Sequence, residues 1–245
     1  MKKLAIFGDS YAECDLDKVN NNIIGWTYMM QQTWDCDIYA IGGASFSWSF
    51  NSFLQNNLNY DRVIFCVTNP YRYTFPLEYT NKNTNIREIK MHWPGLVSIE
   101  RFETYAKDYD KNIFLTLKNW FLHTSITEPF HSYNCDQIIS GILAIRSIRP
   151  DAIIVPNFGY LKKHQSYGID ALLAPYDWCL FDISQNEIQL DKLPYLDPRS
   201  NHLSKSSNIW LFDHMQKRLL ENIYVPWSPD QTPQFSSVDE LMVNL

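Results

Sequence analysis

The sequence predicts an α/β protein: a flavodoxin-like three-layer α/β/α sandwich of about five parallel strands, order 2-1-3-4-5, with a helical, aromatic-rich insertion. Three observations predict it. Short apolar runs of strand length recur along the chain. Stretches with helical apolar spacing separate them, the pattern of parallel βαβ units whose sheet is covered on both faces. Polar turns bearing glycine or asparagine follow the first three runs, where open parallel sheets place their sites.

Taken in order, Leu4 to Phe7 is the first strand, and Gly8 ends it before Asp9-Ser10. Asn20-Asn21-Asn22 is a polar turn, and Ile23 to Trp34 reads as a helix with Ile23, Trp26, Tyr28, Met30 and Trp34 as its apolar positions. Asp37 to Ile41 is the second strand, followed by Gly42-Gly43-Ala44-Ser45 and a helix over Trp48 to Leu58. Arg62 to Val67 is the third strand and ends at Thr68-Asn69-Pro70. Residues 71–133 break the pattern. They are rich in Tyr, Trp, Phe and Asn and hold no clean strand of the same type, and they read as an insertion that is helical over Leu96 to Tyr109 and Asn112 to Leu122. Aromatic residues such as Trp93, Phe102 and Trp120 suit the core of a subdomain better than a ligand platform. The pattern resumes with a helix over Cys135 to Ile148, whose apolar positions are Ile138, Ile139, Ile142, Leu143, Ile145 and Ile148; Pro150 stops it. Ala152 to Val155 and Cys179 to Ile183 are the fourth and fifth strands. Ser204 to Asn222 is the closing helix, carrying Ile209, Trp210, Phe212, Met215, Leu219 and Leu220. One domain over 1–225 is expected, with a Pro- and Ser-rich tail or arm over 226–245.

Composition narrows the function classes. A chain of 245 residues is ample for one large core. A formal charge of −6 and a pI near 5.5 speak against nucleic acid as partner. No apolar run approaches the ~20 residues of a membrane span, and no secretory apolar segment opens the chain. The cysteines Cys14, Cys36, Cys66, Cys135 and Cys179 are odd in number and form no CxxC pair, which favours free thiols. A cytoplasmic or virion-associated protein fits both observations. His92, His123, His131 and His164 lack ligand-like spacing, so no metal is expected. Gly8 lacks the partner glycines of a phosphate loop, which argues against a dinucleotide or FMN cofactor. No cofactor is expected.

The strand ends carry the chemistry. In a parallel sheet the ends at Ser10, Gly42-Gly43 and Asn69 share one edge, and His202, just before a helix, is able to reach it. Ser10 suits a nucleophile and His202 its base. Backbone N–H groups at Ser10 and Gly43, with the Asn69 amide, suit an oxyanion hole, and the glycine leaves the approach open. This constellation resembles the SGNH (GDSL-like) hydrolase family. Gly8-Asp9-Ser10 matches its first block, Gly42-Gly43-Ala44-Ser45 the glycine block, Asn69 the asparagine of the third, and His202 the end of the last. Val67 and Pro70 stand where the third block has Gly and Asp, and Arg199 stands three before His202 where the family has Asp. The nearest upstream acid is Asp197. Asp9 suits a structural role, accepting from loop N–H groups.

The resemblance implies a serine esterase: Ser10 attacks an ester carbonyl, His202 takes its proton, and water hydrolyses the acyl-enzyme. Asp197 either orients His202 in a triad or is a turn residue beside a Ser–His dyad. The expected partner is a small-molecule ester, with a lean to an O-acyl group on a carbohydrate because aromatic-rich insertions suit sugar faces. Arg72, just beyond Asn69, is the candidate contact for an anionic substrate group. Two other classes stay open: a non-catalytic binding or structural module that kept the fold, which the altered third and fourth blocks favour, and a flavodoxin-like nucleotide or phosphate binder, which the missing phosphate loop disfavours.

Overall fold

A computed structural model describes residues 2–14, 24–68, 75–80, 87–92, 128–156, 203 and 205–223. In chain order its elements are β1 (Lys3–Gly8), α1 (Trp26–Thr33), β2 (Asp35–Ala40), α2 (Phe46–Asn56), a 3₁₀ turn (Asn57–Asn59), β3 (Arg62–Val67), β4 (Phe75–Thr80), β5 (Arg87–His92), α3 (Glu128–Ile148), β6 (Ile153–Pro156) and α4 (Lys205–Glu221).

A strand that is apolar at every position has to be covered on both faces. The runs Leu4–Phe7, Val63–Val67 and Ile153–Val155 are buried throughout. They lie in one parallel sheet of order β2-β1-β3-β6, with Phe7 in register with Tyr39 on one side and Phe65 on the other, and Ile64 with Ile153. The fold is therefore α/β with a parallel four-stranded sheet. At its edge, β2 exposes Asp35 and Asp37, and charge on an edge strand opposes pairing with another chain.

Alternation along the strands sorts the core into two clusters. Leu4, Ile6, Ile64, Cys66, Ile153 and Val155 cluster with Trp26 and Met30 of α1 and Leu211, Met215 and Leu219 of α4. Ala5, Phe7, Val63, Phe65, Val67 and Ile154 cluster with Phe46 and Phe53 of α2 and Ile138, Ile142 and Ile145 of α3. The Phe7 ring stacks on Tyr39 at 5.0 Å and meets Phe53 edge-on at 5.6 Å. At the opposite end from the strand-end turns, Arg149 closes the sheet. Its guanidinium donates to the carbonyls of Asn57 (2.7 Å) and Tyr60 (2.9 Å) and forms a fork with Asp151 (3.0 and 2.9 Å).

Several elements differ from the sequence reading. The first helix starts at Trp26 rather than Ile23, and β2 starts at Asp35, two residues early. The third helix starts at Glu128, so it reaches into the expected insertion. In that same segment, ahead of the two expected helices and where the sequence shows no clean strand of the parallel type, β4 and β5 pair antiparallel from Phe75↔His92 to Thr80↔Arg87. The physical reason is the patterning of the two kinds of strand. Parallel, doubly buried strands are continuous apolar runs, whereas Phe75, Leu77 and Tyr79 alternate with Pro76, Glu78 and Thr80, the signature of a strand with two unlike faces. The expected helices at 96–109 and 112–122, the fifth strand at 179–183 and the tail lie outside the described residues. Among the described residues, no helix is long and apolar enough to cross a membrane.

Candidate functional site

Three parallel strands end side by side at Gly8, Ala40 and Val67, and the first two run into described turns. The first is Asp9-Ser10-Tyr11-Ala12, where the Asp9 carbonyl accepts from the N–H of Ala12 and of Glu13, both at 2.9 Å. Ser10 is its second residue and is partly exposed. The Asp9 side chain is fully buried beneath it. Asp9 Oδ1 accepts from the Tyr11 N–H at 3.1 Å, and Oδ2 accepts from Thr68 Oγ1 at 2.6 Å. One carboxylate thus holds the serine turn in shape and ties it to the end of β3, the structural role expected for Asp9. Gly8 supplies closeness: a Cβ there would stand 2.8 Å from Cys66 Cβ and 2.9 Å from Ala12 Cβ. The Gly8 carbonyl also accepts from Ser49 Oγ of α2 at 3.2 Å. Burial, and then the Asp9 charge, push the neighbouring Cys66 thiol well above its ordinary pKa.

The second turn is Ile41-Gly42-Gly43-Ala44, closed by Ala44 N–H to the Ile41 carbonyl at 2.9 Å. Gly43 has φ 81°, and positive φ at the third position only is the mark of a type II turn, which favours glycine there. The turn's own hydrogen bond does not use the Gly43 N–H. Ser45 then caps α2, its hydroxyl accepting from Trp48 N–H at 3.2 Å. The two turns meet: the point a Gly42 Cβ would occupy is 3.9 Å from Ser10 Cβ and 2.8 Å from Glu13 Oε2.

A buried relay joins the serine turn to the segment before α4. The Tyr11 carbonyl accepts from Trp26 Nε1 (2.9 Å), Trp26 N–H donates to Asn208 Oδ1 (2.9 Å), and Asn208 Nδ2 donates to the Leu203 carbonyl (3.0 Å). Leu203 is fully buried and belongs to the same cluster as Tyr11, Ala12 and Trp26.

Of the residues singled out in the sequence, Ser10 and Gly43 lie in the described region, on adjoining turns at one sheet edge. His202, Asp197, Asn69 and Arg72 lie outside the described residues. Thr68, Glu13, Trp26 and Asn208 were missed as parts of this edge. Thr68 directly precedes Asn69 in the motif. Asn208 had a visible signal, a polar residue on the apolar stripe continued by Leu211, Met215 and Leu219. Among the described residues, no group of three or more His, Cys, Asp or Glu is placed to hold a metal ion. Cys14, Cys36, Cys66 and Cys135 are free thiols. Compared with protein-family models and with curated proteins, the chain matches none.

Proposed function

We propose that the chain is a serine esterase of the SGNH (GDSL-like) kind, built on a flavodoxin-like three-layer sandwich whose fifth strand is Cys179 to Ile183. The observation that carries the reading is the meeting of the Ser10 turn with the Gly42–Gly43 turn at the carboxyl edge of a parallel sheet. A nucleophile there has a positive-φ glycine turn beside it, and a backbone N–H from such a turn is the kind of donor an oxyanion hole uses, which supports the reading. The relay from Tyr11 to the Leu203 carbonyl supports His202 as base, since His202 is the residue that precedes Leu203.

In this reading Ser10 attacks the ester carbonyl and passes its proton to His202. The Ser10 and Gly43 N–H groups and the Asn69 amide stabilise the oxyanion. His202 then activates water to release the acyl group. Asp197 orients His202. Arg72 contacts an acidic group on the substrate, and the segment 71–133 shapes a pocket for an O-acylated carbohydrate.

The experiment is labelling of the intact protein with a serine-reactive fluorophosphonate, followed by peptide mapping. Adduct at Ser10, lost in Ser10→Ala and strongly reduced in His202→Ala, is the expected result. Asp197→Asn then separates the triad, where kcat falls by orders of magnitude, from a dyad, where it stays within about threefold. The second reading is a non-catalytic module of the same fold, favoured by Val67, Pro70 and Arg199 in place of the family's Gly, Asp and Asp. It expects no adduct and no ester turnover.

A further inference from the structure

Glu13 belongs to neither the nucleophile's block nor the glycine turn, yet it touches both. Its N–H donates to the Asp9 carbonyl (2.9 Å), and its own carbonyl accepts from Thr27 Oγ1 (3.4 Å), so its backbone is held between the serine turn and α1. From that anchor the side chain reaches the second turn. Glu13 Oε2 fills the space of a Gly42 side chain, 2.8 Å from where the Cβ would be, with Ser10 Cβ 3.9 Å from the same point. Gly42 does not need glycine for its backbone, because positive φ occurs in this turn at Gly43. What a Cβ there would meet is the flexible end of Glu13, which would have to move aside.

We propose that Glu13 is a positioning residue whose carboxylate clamps the Ile41–Ala44 turn against the Asp9–Ala12 turn and so fixes the separation of Ser10 from the Gly43 N–H. Its catalytic consequence rests on the serine-esterase reading; the clamp itself does not. A type II turn with two glycines has few side chains of its own to hold it, so the neighbour that packs on it sets its place. Misplacing a catalytic group by about 1 Å costs up to ~10²-fold in rate.

The test has two arms on the full-length protein. The first is amide hydrogen exchange at Gly42, Gly43 and Ala44. Glu13→Ala is expected to accelerate it about tenfold or more while leaving Ile64 and Phe65 in β3 unchanged, since exchange reports local opening. Gly42→Ala, whose Cβ pushes the carboxylate aside, is expected to do the same, and the double variant to be no worse than either single. Should Glu13→Ala fail to fold, Gly42→Ala carries the test alone. Turn exchange within about twofold of wild type in the folded variants overturns the proposal.

The second arm is ester turnover. Glu13→Ala is expected to lower kcat about tenfold or more with KM within about twofold, and Glu13→Gln, which keeps the shape, to restore most of the loss. Faster exchange with unchanged kcat overturns the positioning role. A wild-type protein inert to esters and fluorophosphonate, with exchange still accelerated in the variants, supports the clamp and overturns the esterase reading.

Discussion

Thr68→Val is the sharpest probe of how the Ser10 turn is held. The substitution removes one hydroxyl and changes shape very little. That hydroxyl donates to Asp9 Oδ2 at 2.6 Å, and both residues are fully buried. A hydrogen bond to a charged group is worth about 1.5–3 kcal/mol net. In a chain of this length each kcal/mol moves Tm by about 2–4 °C. Thr68→Val is thus expected to lower Tm by roughly 3–12 °C.

Asp9→Asn completes the comparison. Its remaining oxygen still serves the Tyr11 N–H, while its NH₂ faces a hydroxyl that then has to accept. Urea and thermal unfolding of wild type, both singles and the double gives the coupling between the two positions, expected at about 1 kcal/mol or more. Effects that add to within ~0.3–0.5 kcal/mol would refute the link between the Asp9 carboxylate and the end of β3.

Gly43→Ala places a Cβ at φ 81°, and it is expected to cost about 1–2 kcal/mol in urea unfolding; wild-type stability would contradict the left-handed turn. Arg149 holds the Asp151 carboxyl below its usual range, chiefly through their hydrogen bonds. The stabilisation is therefore present above the ordinary carboxylate value of about 3.9 and is lost as pH falls through the depressed folded value. Asp151→Asn should accordingly be less stable than wild type at pH 7 and approach it under strongly acid conditions; a difference that grows with acid has the wrong sign. Burial first, then neighbouring acids, push the Cys36 thiol up to about 12 and the Cys135 thiol up to about 11, and burial and then Asp9 push Cys66 well up. At pH 8 these three should react with a disulfide reagent only slowly until the protein unfolds, and rapid labelling of any of them in the folded state contradicts their placement.

The sheet was legible because its code is local. Leu4–Phe7 and Val63–Val67 are apolar at successive positions, which one edge-free, doubly covered strand explains and an amphipathic helix does not. Helix faces were less legible where apolar residues crowd. In α4 the run Ile209-Trp210-Leu211-Phe212 offers every angle, so periodicity selects none. The sheet selects Leu211, which was passed over, and leaves Ile209 44% and Leu220 61% exposed. Similarly, α3 buries Ile138, Ile142 and Ile145 and exposes Leu143 and Ile148, a choice made by the strands it packs on. The β4–β5 pair escaped because its strands alternate instead of running apolar.

The candidate site divides along the same line. The places of Ser10 and Gly43 at one sheet edge could be read because each lies in a turn directly after a strand, a property of a few adjacent residues. What joins those turns could not be read, because each joint pairs residues distant in sequence: Asp9 with Thr68, Glu13 with Gly42, Trp26 with Asn208. Asn208 makes the general point. On its own helix it is a polar residue on the apolar face, and burying its amide unpaired would cost about 1–3 kcal/mol. Its oxygen accepts from Trp26 N–H, at the unpaired start of α1, and its nitrogen donates to the Leu203 carbonyl. A buried amide that satisfies the beginning of one helix and the approach to another fixes where the chain enters α4 relative to the Ser10 turn. In the sequence, the base of the proposed esterase, His202, directly precedes Leu203. The polar residue that looks like a flaw in the stripe is thus the joint between the start of α1, which holds the Ser10 turn through Trp26, and the Leu203 carbonyl ahead of α4.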